Sequence, residues 1–221
     1  MYNRRFYEKK AQMFVEDNES SIRYKKALEI CKKDKFHNVL EIGCFRSQLF
    51  DLLKKNKSNF DYYGIDIARN VFSLKKYKNN KNYNIIIHNC SNGIPFIDET
   101  FSHIYMLEVL EHLENPIFVI KEVKRTLKLG GKFILSVPNP YYYGEIYSNI
   151  RNSLDTEGHF FSFTFQNLDA IYRHEGFSLD RKMGTYVRVP FSKRILKNRY
   201  ACIKSDNIFL SRSFIFRLIK I

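Results

Sequence analysis

The sequence predicts an α/β fold: a mostly parallel sheet with helices on both faces. Three observations predict it. Short apolar runs rich in β-branched residues alternate with helical patterns through residues 20–176, and such alternation builds βαβ units. Glycine or short polar residues follow several of these runs, as at Gly43 and Asn89, where a strand must turn into a helix. The chain has 221 residues, 44% of them hydrophobic, with only 9 Gly and 5 Pro. That suffices for one large core and excludes a disordered, linker-rich or collagen-like chain.

Residues 1–35 read as a helical N-terminal extension. Ile22, Lys25, Lys26 and Glu29 fall at helical spacing, with Ala27, Leu28 and Ile30 as the apolar set. His37 to Ile42 (HNVLEI) is a short apolar run stopped by Gly43, hence a buried first strand. Ser47 to Lys55 follows as a helix with Leu49, Phe50, Leu52 and Leu53 toward the core. Asp61 to Ile67 and Tyr83 to His88 are the second and third strands, and Phe101 to Leu107 the fourth. A helix from Pro116 to Leu127 takes Pro116 in its first turn, and Gly130-Gly131 is expected to end it. Lys132 to Val137 is a fifth strand, stopped by Pro138-Asn139-Pro140. Thr164 is a side-chain cap for another helix, closed by Gly176. The remainder reads as two strands joined by a basic connection, Lys193 to Arg199. The expected organisation is a single domain over 1–221, with the extension at 1–35, the core at 36–180 and basic C-terminal strands at 181–221.

Net charge is +14, and it is uneven. Residues 36–180 carry 16 Lys+Arg and 16 Asp+Glu; residues 1–35 carry 10 and 6; residues 181–221 carry 11 and 1. The excess is a C-terminal property. It suits an anionic partner, either a membrane surface or nucleic acid, unless it is only a solvated face. Phe191, Ile195 and Leu196 interleave with Lys193, Arg194, Lys197 and Arg199, the composition of a segment resting on anionic lipid. No apolar run approaches the ~18–20 residues that span a bilayer. The opening MYNRRFYEKKAQMF lacks an apolar h-region, so no secretory signal is expected. Cys31, Cys44, Cys90 and Cys202 lie far apart with no C-x-x-C, which fits a reducing cytoplasm and neither a zinc site nor a disulfide framework.

Ligands of such sheets bind beyond the carboxyl ends of the strands. The first strand ends Glu41-Ile42-Gly43-Cys44, where glycine lets the backbone approach a ligand closely. The second ends at Asp66, 23 residues past Gly43. An acid so placed accepts from the ribose hydroxyls of a nucleoside, or else caps a helix. The third ends His88-Asn89-Cys90-Ser91, able to border an adenine or to form an ordinary turn. The fourth runs into Glu108-Val109-Leu110-Glu111-His112. In a helical turn, Glu108, Glu111 and His112 share one face. A His beside carboxylates is a candidate general base. The same set has the chemistry of a divalent-cation site, although no metal is assigned. His159, before the Thr164 helix, is a second candidate base. Pro138 to Gly158, with Tyr141, Tyr142, Tyr143 and Tyr147, reads as a lid over the substrate.

In this order, VLEIGC, YYGIDIA, IPFIDETFSHIYMLEVLEHLENPIFVIKEVKRTLKLGGKFILSVPNP and GHFFSFTFQNLDAIYRHEGF resemble the class I S-adenosylmethionine-dependent methyltransferases, over about residues 37–178. The likeness is greatest to small-molecule enzymes of quinone biosynthesis and surface polysaccharides. It implies a Rossmann-like seven-stranded sheet whose last strand is antiparallel and inserted between the fifth and sixth. It implies S-adenosyl-L-methionine as cofactor. Glu41, Gly43, Cys44 and Phe45 then belong to the methionine-side loop. Asp66 and Ile67 flank the ribose, Asn89 and Cys90 border the adenine, and Leu107 and Glu108 line the floor. His112, His159 and Glu111 are the catalytic candidates. Phe45 and Ser47 depart from the family's second and third loop glycines, and Asn89 or Cys90 from its usual Asp. The expected activity is methyl transfer to a small-molecule or lipid-linked acceptor, at oxygen. The alternatives are an RNA acceptor, less favoured because residues 36–180 are neutral, and a non-catalytic binding module.

Overall fold

The computed structural model describes residues 4–13, 18–56, 59–68, 77, 79–155, 157–190, 192 and 200–221. The central strand, β1 (Asn38–Ile42), pairs in parallel with β2 (Asp61–Asp66) on one side and β4 (Phe101–Leu107) on the other. β3 (Tyr83–Ile87) lies parallel outside β2, and β5 (Leu127–Pro138) parallel outside β4. The last strand, β9 (Ser213–Lys220), is antiparallel and sits between β5 and β6 (Phe177–Gly184). The order is therefore β3-β2-β1-β4-β5-β9-β6, with the antiparallel insertion as expected. A separate two-stranded ladder joins β7 (Tyr186–Arg188) to β8 (Cys202–Lys204). The C-terminal stretch thus holds four strands rather than the two expected. β7 and β8 are three residues each, too short to show a period.

Among the described residues, six helices surround the sheet: α1 (Arg4–Met13), α2 (Asn18–Glu29), α3 (Gln48–Asn56), α4 (Pro116–Thr126), α5 (Tyr143–Ile150) and α6 (Phe165–His174). Successive strand side chains point to opposite faces. Ile104 and Met106 of β4, with Phe133 and Leu135 of β5, face Val119, Ile120 and Val123 of α4 and Leu168 and Tyr172 of α6. Tyr105 and Ile134, on the alternate positions, face Ala27 of α2, Ile30 just after it, and Leu49, Phe50 and Leu53 of α3. Burial on both faces is why these strands read as continuous apolar runs. Each fully buried aliphatic or aromatic side chain contributes about 1.5–3 kcal/mol.

The caps follow the sequence in part. Asn115 Oδ1 accepts the Phe118 N–H at 3.1 Å ahead of Pro116, and Thr164 Oγ1 accepts the Asn167 N–H at 3.2 Å. Gly130-Gly131, however, does not end α4. That helix stops at Thr126, Leu127 turns extended, and β5 begins at once. The β4–β5 register jumps from Phe101↔Leu127 to His103↔Lys132. The glycines lie in the resulting bulge, where Gly130 takes φ +69.

Candidate active site

A cleft of about 560 Å³ opens at the carboxyl ends of β1, β2, β3 and β4, where the strand order reverses. Gly43, Phe45, Asp66, Ile67, Asn89, Cys90 and Glu108 line it, with His112 at the far wall. Glu41, Cys44 and Leu107 do not. They lie behind the wall, because alternation turns them into the sheet's other face or the loop's interior.

β1 stops at Gly43, with φ +74, where a Cβ would come 2.4 Å from Val109 Cγ2. Phe45 and Ser47 then take φ +40 and +55. Side chains disfavour that region, at roughly 1–2 kcal/mol per residue, so other contacts must hold them. The Phe45 N–H donates to Asp66 Oδ2 at 2.9 Å, and the Phe45 ring packs on Ala68. Ser47 is buried, with Oγ 2.8 Å from the Tyr83 hydroxyl. Glycine's backbone path survives here without the second and third glycines.

Asp66 Oδ1 also accepts the Ala68 N–H at 2.9 Å. Burial raises the Asp66 pKa above the ordinary carboxylate value, and the N–H groups of Ala68 and Phe45 counter part of that rise. Two of the carboxylate's lone-pair positions are so used, which leaves acceptor capacity toward the cleft. Asn89 Oδ1 accepts the Ser91 N–H at 3.0 Å, capping a single 3-10 turn at Cys90–Asn92. That bond orients the amide, so the NH₂ is the group Asn89 offers a ligand. Burial pushes the Cys90 thiol up to about 12, so it stays protonated. Glu41 is buried against the Tyr62 hydroxyl, and desolvation pushes it up to about 8 against hydrogen bonds from Tyr62 and Tyr24.

After β4 the expected helical face does not form. Glu108 takes φ +56 and its carboxylate turns back to the sheet, accepting from Ser136 Oγ at 2.9 Å and Ser213 Oγ at 3.1 Å. Arg23 of α2 stands 3.5 Å from its Oε2. Leu110–His112 is a 3-10 turn, which sends Glu111 inward while His112 faces the cleft. Neither Glu111 carboxyl oxygen has a hydrogen-bond partner among the described residues. Desolvation, then the Glu108 charge, raises its pKa well above the usual range.

His112 Nδ1 lies 3.0 Å from the Gly158 carbonyl. A carbonyl only accepts, so Nδ1 carries the proton and the neutral ring's lone pair is at Nε2. The His112 and His159 ring centroids are 4.8 Å apart. Ligand atoms of Glu111, His112 and His159 all lie within 4.8 Å of one another, whereas Glu108 is not among them. The Glu111 carbonyl accepts the Phe160 N–H at 2.8 Å, tying the β4 turn to the loop that carries His159.

Two residues of the N-terminal helices escaped the sequence reading. Tyr7 of α1 lines the cleft, its ring edge-on to His112 at 5.8 Å. Arg23 of α2 reaches Glu108. A Tyr or Arg on a charged helix reads as surface, and only tertiary packing brings either to the strand ends.

A second cavity, about 1050 Å³, adjoins the first, and Phe160 lines both. His159, Tyr143 and Tyr147 line the second. The expected lid is therefore partly helical, as α5. Tyr141 is exposed, and Tyr142 is buried with its hydroxyl accepting the Arg188 N–H at 3.2 Å. The basic segment Lys193–Arg199, with Phe191, lies outside the described residues. Among the described residues, no helix is long and apolar enough to cross a membrane.

Comparison with known proteins agrees with this geometry. Residues 4–182 match the Methyltransferase domain family. A 102-residue stretch is 29% identical to the tRNA U34 carboxymethyltransferase of Nautilia profundicola, covering 44% of this chain and 33% of that protein. Another, of 77 residues, is 31% identical to the demethylmenaquinone methyltransferase of a Geobacillus species, covering 34% of this chain and 33% of that one. The matches span about a third of the length of these relatives. A SAM-dependent methyltransferase from Thermotoga maritima superposes with TM-score 0.70 at 16% identity, over 99% of this chain and 97% of that one. With four-fifths of its length matched and the strand order to go with it, the chain belongs to the methyltransferase-domain family.

Proposed function

We propose that this protein transfers a methyl group from S-adenosylmethionine to a hydroxyl oxygen of a small-molecule or lipid-linked acceptor. One observation carries the reading: two cavities share Phe160, with His112 on one side, His159 on the other, and the two rings 4.8 Å apart. A donor and an acceptor in adjoining sites with a base at the junction is what methyl transfer to a hydroxyl requires.

The cleft fits a nucleoside. Asp66 keeps acceptor capacity for ribose hydroxyls, and Asn89 offers its NH₂ to an adenine ring nitrogen. Gly43 and Phe45 border the methionine side. When bound, the cofactor supplies an electrophilic methyl on a sulfonium sulfur. The protein's share is alignment and proton removal. His112 would take the acceptor's O–H proton at Nε2. His159 positions the acceptor beside it. Glu111 lies buried beside the pair, its pKa raised by burial and by the Glu108 charge, and makes no hydrogen bond to either ring.

Titration with S-adenosylhomocysteine tests the cofactor part, and acceptor methylation followed by mass spectrometry tests the transfer. No binding at millimolar ligand removes the enzymatic reading.

An RNA acceptor is the second reading. The resemblance to a tRNA-modifying enzyme and the +10 balance of residues 181–221 favour it. It requires RNA retention that falls steeply from low to moderate salt. The same basic stretch supports a proposed rest on anionic membrane. Vesicle binding must then weaken when Lys193, Arg194, Lys197 and Arg199 are neutralised.

A further inference from the structure

The second cavity differs from the rest of this protein in its charge, and that difference names a ligand class. On a chain of net charge +14, its wall carries three carboxylates, Glu145, Asp155 and Glu157, against two guanidinium groups, Arg188 and Arg212. Both guanidinium groups have a carboxylate beside them, although Arg212 Nε and Nη1 have no hydrogen-bond partner among the described residues. Arg188 donates to Glu19 through Nε at 2.8 Å and Nη2 at 2.7 Å, and Arg212 Nη2 is 3.0 Å from Glu145 Oε1. The Glu19 pKa stays lowered because the Arg188 bonds and charge outweigh its burial. Among the described residues, the wall therefore presents no guanidinium without a carboxylate beside it to attract a phosphate chain, and its extra carboxylate repels one.

The other lining groups are aromatic. Tyr143 and Tyr147 of α5 are 46% and 58% exposed, and Phe160 is 43% exposed. Tyr200 stands across from them, its ring under the Arg188 guanidinium at 4.7 Å. Half-exposed rings offer flat apolar faces, while carboxylates and guanidinium groups offer acceptors and donors side by side. An aliphatic chain would leave those charged groups desolvated without partners. A hydroxyl both donates and accepts, so one substituent type satisfies both signs, and a ring of C–H groups stacks on the aromatic faces.

On these grounds, and resting on the proposed function, we infer that the second cavity binds an uncharged, polyhydroxylated ring: a sugar, which is the methyl acceptor. The ring lies on Tyr143 and Tyr147, its hydroxyls meet Asp155 and Glu145, and one hydroxyl reaches the His112–His159 junction past Phe160. The cavity is nearly twice the size of the cofactor cleft, which leaves room for a substituent on the sugar.

Saturation-transfer NMR on the full chain tests this, with methyl glycosides of glucose, galactose, mannose and rhamnose as probes. Catechol, spermidine and a short poly(U) RNA serve as comparison ligands, each run with and without S-adenosylhomocysteine. At least one glycoside is expected to give transfer strongest at its ring C–H protons. Tyr147→Ala is expected to weaken it about three- to tenfold, the worth of one aromatic face. Tyr147→Phe should retain it. S-adenosylhomocysteine affinity should not change in either variant, since Tyr147 is remote from the first cavity's lining. Normal S-adenosylhomocysteine binding with no glycoside signal, or with catechol, spermidine or RNA binding in a Tyr147-dependent way instead, overturns the sugar assignment and leaves the methyltransferase reading standing. Loss of S-adenosylhomocysteine binding in the wild type defeats the methyltransferase reading itself.

Discussion

Phe45 donates its backbone N–H to Asp66 Oδ2 across 2.9 Å. The bond fastens the loop after β1 to the last residue of β2, across the mouth of the cofactor cleft. It supplies from outside the conformational bias that glycine would supply from within. Phe45 and Ser47 hold positive φ because Asp66 and Tyr83 receive them there.

On the proposed function Asp66 has two tasks, loop anchor and ribose acceptor, and its variants separate them. Asp66→Ala removes the loop anchor and the ribose acceptor together. S-adenosylhomocysteine affinity should fall at least about tenfold, since one hydrogen bond to a charged group is worth ~1.5–3 kcal/mol. Calorimetry reads this directly. The wild-type affinity should also fall as pH descends through the Asp66 pKa, which burial holds above the ordinary value. Asp66→Asn should show weaker binding with no such slope. Full affinity in Asp66→Ala would mean the nucleoside lies elsewhere.

The loop itself gives a second contrast. Phe45→Gly removes the steric objection to φ +40 but loses the packing on Ala68. These effects oppose each other at about 1 kcal/mol each, so cofactor affinity should stay within about fivefold. Phe45→Val keeps an apolar side chain and adds β-branching, which tolerates positive φ worst. It should lose affinity well beyond Phe45→Gly. If valine binds as well as phenylalanine, the left-handed conformation is not what the site needs.

Glu41 shapes the pH dependence of stability. Desolvation raises its folded pKa to about 8, above its unfolded value near 4.5. The folded state then binds the extra proton between those values, so stability is greatest below the unfolded pKa and falls as pH rises toward 8. The total for this one group is on the order of 4–5 kcal/mol, at 1.36 kcal/mol per pKa unit. Glu41→Gln keeps the contact with the Tyr62 hydroxyl and removes the titration. Its chemical-denaturation midpoint should decline less than that of the wild type from pH 5 to 8. Parallel declines would show that Glu41 titrates normally.

What the sequence disclosed follows from how local each cause is. β1, β2 and β4 were legible to within about a residue because they are largely buried and polar residues bound each run; the outer strand β3, half-exposed, was legible from its β-branched run alone. Asp66 and Asn89 were legible because strand ends point to the ligand side of any such sheet. The Gly130-Gly131 bulge was not, since a glycine pair after a helix has the same local signature as a helix stop. The fate of Glu108 was not legible either. Its carboxylate is claimed by Ser136 and Ser213, from β5 and β9, and no spacing within E-V-L-E-H reports on those strands. Tyr7 reaches the cleft through docking of a helix more than 90 residues earlier in the chain than His112, which no window of sequence contains.

The 3-10 turn at Leu110–His112 separates the two roles that an α-helical turn would have merged. With Nδ1 engaged by the Gly158 carbonyl, the proposed function has His112 take the proton at Nε2. His112→Ala should lower kcat by ~10²–10⁴-fold, the usual worth of a general base, while the KM for S-adenosylmethionine moves far less. The pH–rate profile of the wild type should lose its lower limb in that variant. Glu111→Gln replaces a carboxyl already neutral in the fold with a neutral group of the same shape, so activity and its pH dependence should persist. Glu111→Ala leaves a void beneath the turn, and should cost stability of about 1–3 kcal/mol through lost packing. A large activity loss in Glu111→Gln at unchanged stability would make Glu111 an ionised participant in the reaction, against the direction of its pKa.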